Sequence, residues 1–182
     1  MFLIPKVVFN LVFRAVWGLR VYNQHDIPRK KGFILLWENS HLLECLALEA
    51  ALPLRIYWAV ADLGSKPSIL RWLLLRLGCY PLDPETPDIK GFRLAFKVLK
   101  KESVTVFYPG YLSKGFALFC LRSGKDILPV VIHRQKQRPY FKVLFGRAYN
   151  FKANQIGPVT LKGIEEIILK MKGSLNGLKA YV

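Results

Sequence analysis

Acidic residues are scarce in this chain of 182 residues: 12 Asp and Glu stand against 28 Lys and Arg, and the formal net charge is +16. This imbalance predicts an anionic partner, which is nucleic acid, an anionic membrane surface or an acidic ligand. Apolar residues make up 52% of the chain, which excludes a disordered protein. The length fits a single domain with one substantial core.

Cysteine is rare as well. The three cysteines, Cys45, Cys79 and Cys120, are widely spaced, have no metal-ligand spacing and cannot all pair. They predict reduced, partly buried thiols, as in a cytosolic protein, and neither a metal nor a tightly bound cofactor is indicated. No charge-free run reaches the roughly 20 residues that cross a bilayer. The chain also begins without the basic residues and the cleavage site of a signal peptide.

The first 22 residues are unusually apolar. Lys6, Asn10 and Arg14 recur every four residues and form one narrow polar stripe on a helix, while apolar residues cover the rest. A soluble surface helix has an apolar stripe rather than an apolar majority. The pattern predicts a helix that lies in the membrane interface, with its cations near the lipid headgroups. The alternative is a core helix of the domain.

A second apolar helix is predicted from Ser68 to Gly78, with Arg71 and Arg76 protruding. Basic residues scattered among Leu and Phe do not make the clustered basic and aromatic groove of a nucleic-acid site, so nucleic acid is not an expected partner. We therefore expect a peripheral or monotopic protein on the cytoplasmic side of an anionic membrane. The residues expected to contact that membrane are Phe9, Phe13, Trp17 and Trp72.

Apolar strands and helices alternate along the rest of the chain, which predicts an α/β domain with a mainly parallel central sheet flanked by helices. We expect residues 1–25 to form a membrane-interacting N-terminal helix and residues 26–182 to form the α/β domain. The predicted strands are 32–37, 54–60, 79–82, 103–109, 127–133 and 140–151. The predicted helices of this domain are 39–52, 68–78, 89–101, 116–123 and 161–173.

The stretch "WENSHLLEC", residues 37–45, concentrates polar residues directly after an apolar strand. With three later stretches it resembles the glycerolipid acyltransferases of the 1-acylglycerol-3-phosphate acyltransferase type. The family's Asn-His-x-Ser-x-x-Asp block aligns with "ENSHLLE", and its Phe-Pro-Glu-Gly-Thr-Arg-Ser block aligns with "FYPGYLSK". "GCYPLDP" and "ILPVVI" align with two further blocks. The resemblance covers about residues 26 to 172.

The resemblance implies transfer of a fatty acyl chain from a thioester donor, acyl-CoA or acyl carrier protein, to a hydroxyl of a lysophospholipid in phospholipid synthesis. In the family, the His removes the proton of the acceptor hydroxyl, and the carboxylate five residues later orients that His. Here Glu44 occupies the carboxylate position, but Asn39 occupies the His position, and an amide cannot accept that proton. Whether the chain is an active O-acyltransferase is therefore open.

The phosphate-binding Arg residues of the family are also replaced. Pro84 stands at the Arg position of the second block, and Ser113 at that of the third, with Lys114 next to it. Gly110 replaces the Glu of the third block. The substrate-binding residues implied by the resemblance are Tyr108, Pro109, Gly110 and Lys114.

Two interpretations of the first block stay open. Asn39 has the side chain of an N-cap, which would accept a hydrogen bond at the start of the following helix. His41 would then lie in the first helical turn, either as a displaced general base oriented by Glu44 or as a partly buried His satisfied by a carboxylate. The candidate catalytic residues are thus His41, Glu44 and Asn39. The alternative function is a non-catalytic protein of this fold that binds lipid or acyl chains at the membrane.

Overall fold

The computed structural model describes residues 3–28, 32–37, 41–52, 54–60, 67–76, 78–81, 89–100, 104–107, 114–151 and 161–181. The helices are α1 (Leu3–Trp17), α2 (Leu42–Ala51), α3 (Ser68–Arg76), α4 (Ile89–Lys100), α5 (Lys114–Ser123) and α6 (Leu161–Lys179). The strands are β1 (Leu19–Tyr22), β2 (Ile34–Trp37), β3 (Ile56–Val60), β4 (Cys79–Pro81), β5 (Val104–Phe107), β6 (Ile127–Arg134) and β7 (Phe141–Phe145).

Within the described residues, the strands form one seven-stranded sheet in the order β1-β7-β6-β2-β5-β3-β4. The run from β6 to β4 is parallel throughout, as expected where helical crossovers join consecutive strands. Among the strands that the structure describes, β6 and β7 form the one antiparallel pair, and β1 pairs with β7 in parallel. The predicted α/β class with a mainly parallel central sheet is confirmed.

Each face of the sheet is covered by its own helices. Alternate residues of β2 point to opposite faces, because side chains alternate along a strand. Ile34 and Leu36 pack with buried residues of α4, α5 and α6. Phe33 and Leu35 pack on the other face with buried residues of α1 and α2. The central strand is therefore buried on both sides, which explains its uninterrupted apolar sequence.

The N-terminal helix is shorter than expected. It ends at Trp17, where Gly18 adopts a φ of +63° and its N–H donates to the Arg14 carbonyl. The chain then enters the sheet as β1, with Leu19 beside Phe141. The prediction of one helix over residues 1–25 is therefore wrong for the residues after Trp17. Glycine tolerates the left-handed conformation that ends a helix, and an edge strand of four residues gives a weak sequence signal.

The buried face of α1 shows that the predicted membrane contact of Phe13 is wrong. Phe13 is only 1% exposed. Its ring packs 5.1 Å from that of Trp17 and 5.7 Å from that of Phe141. Phe13 is thus a core residue and cannot contact a membrane, because the helical period of 3.6 residues turns it toward the sheet. Phe9, half-buried, lies on the same side of the helix, with its ring 5.9 Å from that of Phe13.

The opposite face of α1 is exposed and apolar. Its exposed large side chains are Val8, Leu11 and Val12, and Val16 and Trp17 are also exposed where the helix ends. Among the described residues, no helix combines the length and the hydropathy needed to cross a membrane. The helix thus packs on the domain through one face and presents apolar residues on the other.

Candidate active site

The carboxyl ends of β2 and β5 lie side by side at the centre of the sheet, with Leu36 in register with Phe107. After β2 the chain crosses to β3 on one side, whereas after β5 it crosses to β6 on the other. Right-handed crossovers in opposite directions place their helices on opposite faces, and α2 and α5 indeed belong to different core clusters. Such a reversal opens a crevice at the strand ends, where α/β proteins bind ligands.

The first and third sequence blocks follow the two central strands of the sheet. Trp37 is the last residue of β2, and Phe107 is the last residue of β5. Neighbouring strands lie about 4.8 Å apart, so these two strand ends are close together. The sheet therefore pairs the strands that lead into two motifs about seventy residues apart in the sequence.

His41 occupies the N-cap position of α2, with an extended backbone (φ −81°, ψ 134°). We expected Asn39 to be the N-cap and His41 to lie in the first helical turn. Both expectations are wrong, because His41 itself is the N-cap. The helix begins two residues later than the cap at Asn39 requires. The imidazole makes no capping hydrogen bond and is exposed. A histidine placed in this way is accessible to a ligand in the crevice.

Glu44 lies in the first turn of α2 and is 4% exposed. Its backbone N–H donates to the His41 carbonyl at 3.0 Å. The carboxylate is thus turned into the protein from the same helix end that presents His41 to solvent. An acidic residue in the first turn of a helix is favoured by the positive end of the helix dipole. The proposed orientation of His41 by Glu44 stays a prediction.

Two tryptophans pack against each other, Trp37 at the carboxyl end of β2 and Trp58 in the middle of β3. The rings of Trp37 and Trp58 meet edge to face, with centroids 5.6 Å apart. The Trp58 indole N–H donates to Glu49 Oε1 at 3.0 Å. The indole nitrogen of Trp37 is buried and has no hydrogen-bond partner among the described residues. These contacts tie α2 to the strand that ends at the first block.

Lys114 is the first residue of α5 and follows the loop of the third block. Its Nζ lies 3.8 Å from Glu165 Oε1 on α6, and both side chains are more than half exposed. An exposed pair of this kind is weak, so the lysine can exchange its partner for an anion. Asn39, Tyr108, Pro109 and Gly110 lie outside the described residues, and their predicted roles stay predictions.

The thiols beside the site are poor nucleophiles. Burial, with a smaller effect of the Glu44 carboxylate, raises the pKa of Cys45 to about 12. Burial and then Glu49 raise the pKa of Cys79 to about 11. Only the thiolate attacks a thioester, so neither residue is suited to form an acyl-enzyme at neutral pH.

A groove of about 840 Å³ opens next to the start of α2. Its lining includes Val16 and Trp17 from α1, Leu43 from α2, and Arg134 and Lys136 at the end of β6 and in the loop that follows. Sequence analysis assigned no site to Arg134 or Lys136. The signal available in the sequence was the density of cations in residues 134–138, but the apolar wall comes from a distant part of the chain.

The strand order and the helices on both faces of the sheet define a doubly wound α/β fold. The crystal structure of the 1-acyl-sn-glycerophosphate (LPA) acyltransferase PlsC from Thermotoga maritima aligns with 97% of this chain and 79% of its own, with a TM-score of 0.66 and 12% identity. That likeness shows the shared fold.

The sequence matches the 1-acyl-sn-glycerol-3-phosphate acyltransferase of Bacillus subtilis (strain 168), with 23% identity over 93 residues. The match covers 50% of this chain and 47% of that protein, so the chain spans about half the length of the curated relative it matches. No protein-family model matches the chain. The predicted resemblance to the 1-acylglycerol-3-phosphate acyltransferase type is confirmed by these two comparisons.

Proposed function

We propose that the chain is a membrane-associated O-acyltransferase that transfers a fatty acyl chain from a thioester donor to the hydroxyl of a lysophospholipid. The observation that carries this proposal is the parallel pairing of β2 and β5, the strands that lead into the first and third blocks, at the switch point of the sheet. The thioester donor is acyl-CoA or acyl carrier protein, as the resemblance implies. The names of the two similar proteins, both acyltransferases of a glycerol phosphate ester, support the same acceptor class.

His41 is the candidate general base. It is exposed at the N-cap of α2, where its imidazole is accessible to a substrate. In this mechanism the imidazole takes the proton of the acceptor hydroxyl, the hydroxyl oxygen attacks the thioester carbonyl, and the thiolate leaves. Glu44, buried one turn along the helix, would stabilise the protonated imidazole.

The replacement of the family's His by Asn39 favours a second candidate function. Without a base at that position the chain would bind lipid or acyl chains at the membrane without transferring them. Losing a general base typically lowers a rate by about 10²–10⁴-fold. The two functions make the same binding prediction but opposite predictions for turnover.

Association with an anionic membrane is part of the proposal. The exposed apolar face of α1 and the exposed Ile69 and Trp72 of α3 would enter the headgroup region, and the net charge of +16 would attract anionic lipid. The Arg76 guanidinium lies 4.6 Å from the centre of the Trp72 ring, which places a cation beside the aromatic residue. We infer a peripheral or monotopic protein on the cytoplasmic side of its membrane.

One assay on four proteins tests the catalytic proposal: wild type, His41→Ala, Glu44→Gln and Asn39→His, each with acyl-CoA or acyl carrier protein and a panel of lysophospholipids. We expect thioester consumption by wild type, its loss in His41→Ala and a reduction in Glu44→Gln. Wild-type turnover that persists in His41→Ala rules out the displaced base. A wild type that is inert with every pair but binds acyl chains supports the binding function, and recovery of transfer in Asn39→His would locate the missing base.

A further inference from the structure

The groove beside α2 has two walls of different chemistry. Val16, Trp17 and Leu43 form an apolar wall, while Arg134 and Lys136 supply cations at the end of β6. The described lining contains no carboxylate, and neither cation has an acidic partner among the described residues. A site of this kind is complementary to a molecule with an anionic head and an apolar chain.

The framework of the groove is held by several hydrogen bonds between α1 and the β6–β7 hairpin. The Arg138 guanidinium donates to the carbonyl of Val16 at 2.9 Å and also to that of Ala15. The Tyr140 N–H donates to the Trp17 carbonyl at 3.0 Å. These bonds satisfy carbonyls at the end of α1 and place a cation at the negative end of its dipole. The apolar wall and the cationic hairpin are therefore fixed relative to each other before a ligand binds.

The hairpin itself is closed by a 2.8 Å bond from the Gln135 N–H to the Tyr140 carbonyl. The amide of Gln135 is oriented so that both of its polar atoms have partners. Its side-chain oxygen accepts a hydrogen bond from Lys142 Nζ at 2.9 Å, and its side-chain nitrogen donates to the Pro139 carbonyl at 3.2 Å. The residue between the two cations of the groove is thus anchored. Arg134 and Lys136, on either side of it, are left to face the groove.

The position of the groove relates it to the candidate active site. Leu43 belongs to the first turn of α2, the helix that carries His41 at its N-cap. Val16 and Trp17 line the groove and are exposed at the end of α1, the helix that also exposes Leu11 and Val12. The Arg positions of the second and third blocks hold Pro84 and Ser113, so they supply no cation for a phosphate.

We propose that Arg134 and Lys136 bind the phosphate of a phosphorylated single-chain lipid, whose chain lies along Val16, Trp17 and Leu43. The proposal rests on the proposed function in naming this lipid as the acyl acceptor, but the binding itself does not depend on turnover. A phosphate monoester carries up to two negative charges near neutral pH, and charge-assisted hydrogen bonds from two cations hold it firmly.

Binding of 1-octanoylglycerol 3-phosphate, below its critical micelle concentration, tests the proposal by calorimetric titration of the full chain. The double variant Arg134→Gln/Lys136→Gln should bind at least about tenfold more weakly than wild type. The control Arg93→Gln/Lys97→Gln removes the same charge from exposed positions on α4, on the other face of the sheet, and should change the affinity less than about twofold. Lys114→Gln tests the cation beside the third block.

Two fragments separate the head from the chain. Glycerol 3-phosphate and 1-octanoylglycerol should each bind at least about tenfold more weakly than the complete molecule. Equal weakening in both double variants would mean general charge attraction and would overturn the site. So would loss of binding only in Lys114→Gln, or no binding by wild type. Glycerol 3-phosphate that binds as tightly as the lipid would overturn the role of the apolar wall. This test measures binding and not acyl transfer. If the protein binds as expected but transfers no acyl chain, the binding site is supported and the catalytic proposal alone is contradicted.

Discussion

The backbone N–H of Glu44 donates a 3.0 Å hydrogen bond to the carbonyl of His41, and this bond opens helix α2. It sets the two side chains apart: the imidazole is exposed at the N-cap, whereas the carboxylate is buried in the first turn. A histidine at an N-cap cannot satisfy the helix N–H groups as well as a short hydroxyl or amide side chain does. His41 therefore contributes little to the stability of the helix at this position, which favours a functional role for it.

The replacement His41→Ser should stabilise the fold by about 1 kcal/mol, because the serine hydroxyl accepts a hydrogen bond from the second or third helical N–H. For a domain of this size that shift raises Tm by roughly 2–4 °C. The same variant should lose acyl transfer if His41 is the base. His133→Ser, at an exposed position on β6, is the control and should not gain stability. A fall in Tm for His41→Ser would contradict the cap assignment.

Gly18→Ala should destabilise the fold by about 1–2 kcal/mol. Gly18 has a φ of +63°, and an added Cβ would lie 3.2 Å from Pro139 Cα, a backbone atom that cannot move away easily. Gly177→Ala, in helix α6 with no atom within 4 Å of the new Cβ, should instead stabilise by about 0.5–1 kcal/mol. Urea unfolding of both variants gives the comparison. Similar destabilisation of both would show that the conformation of Gly18 is not the cause.

Replacing Ile69 and Trp72 with serine should weaken binding to anionic vesicles by about tenfold or more, because both side chains would leave water on binding. They are 84% and 56% exposed, so the fold should not be affected. Leu169→Ser on α6, also exposed, is the control and should bind as wild type does. Sedimentation with vesicles at low and physiological salt measures the effect. Equal binding to neutral and anionic vesicles at low salt would contradict the electrostatic part, since salt screens such attraction.

The three thiols should react slowly with N-ethylmaleimide at pH 7.5 in the native protein. Burial raises the pKa of Cys45 to about 12 and that of Cys79 to about 11, and it also raises the pKa of the buried Cys120 well above its ordinary value. The thiolate is the reactive form, so little of it is present. Mass spectrometry after a timed reaction should show full labelling only in denaturant. Rapid native labelling of Cys45 would contradict the burial of its thiol on the inner side of α2.

Much of the architecture was predictable from local pattern. The apolar runs at 34–37 and 104–107 predicted buried strands, and both are strands of the sheet. The helical periodicity at 89–100 predicted an amphipathic helix, which is α4. The strand at 19–22 was missed because four residues at an edge carry little pattern, and the apolar helix before them masked their start. In the candidate site, the first block predicted His41 and Glu44 as neighbours along a helix. It did not predict that the helix begins at Leu42, because cap positions depend on loop geometry.

The α/β class, the excess of positive charge and the resemblance that points to acyl transfer could all be read from the chain alone. These properties reside in composition, in periodicity and in residues close together along the chain. The burial of Phe13 beside the exposed Val16, and the groove that Arg134 and Lys136 share with Leu43, became apparent from the folded structure. Those relations join residues about a hundred positions apart through the sheet order β1-β7-β6-β2. Non-local pairing of this kind follows from packing the whole sheet, and no local segment contains it.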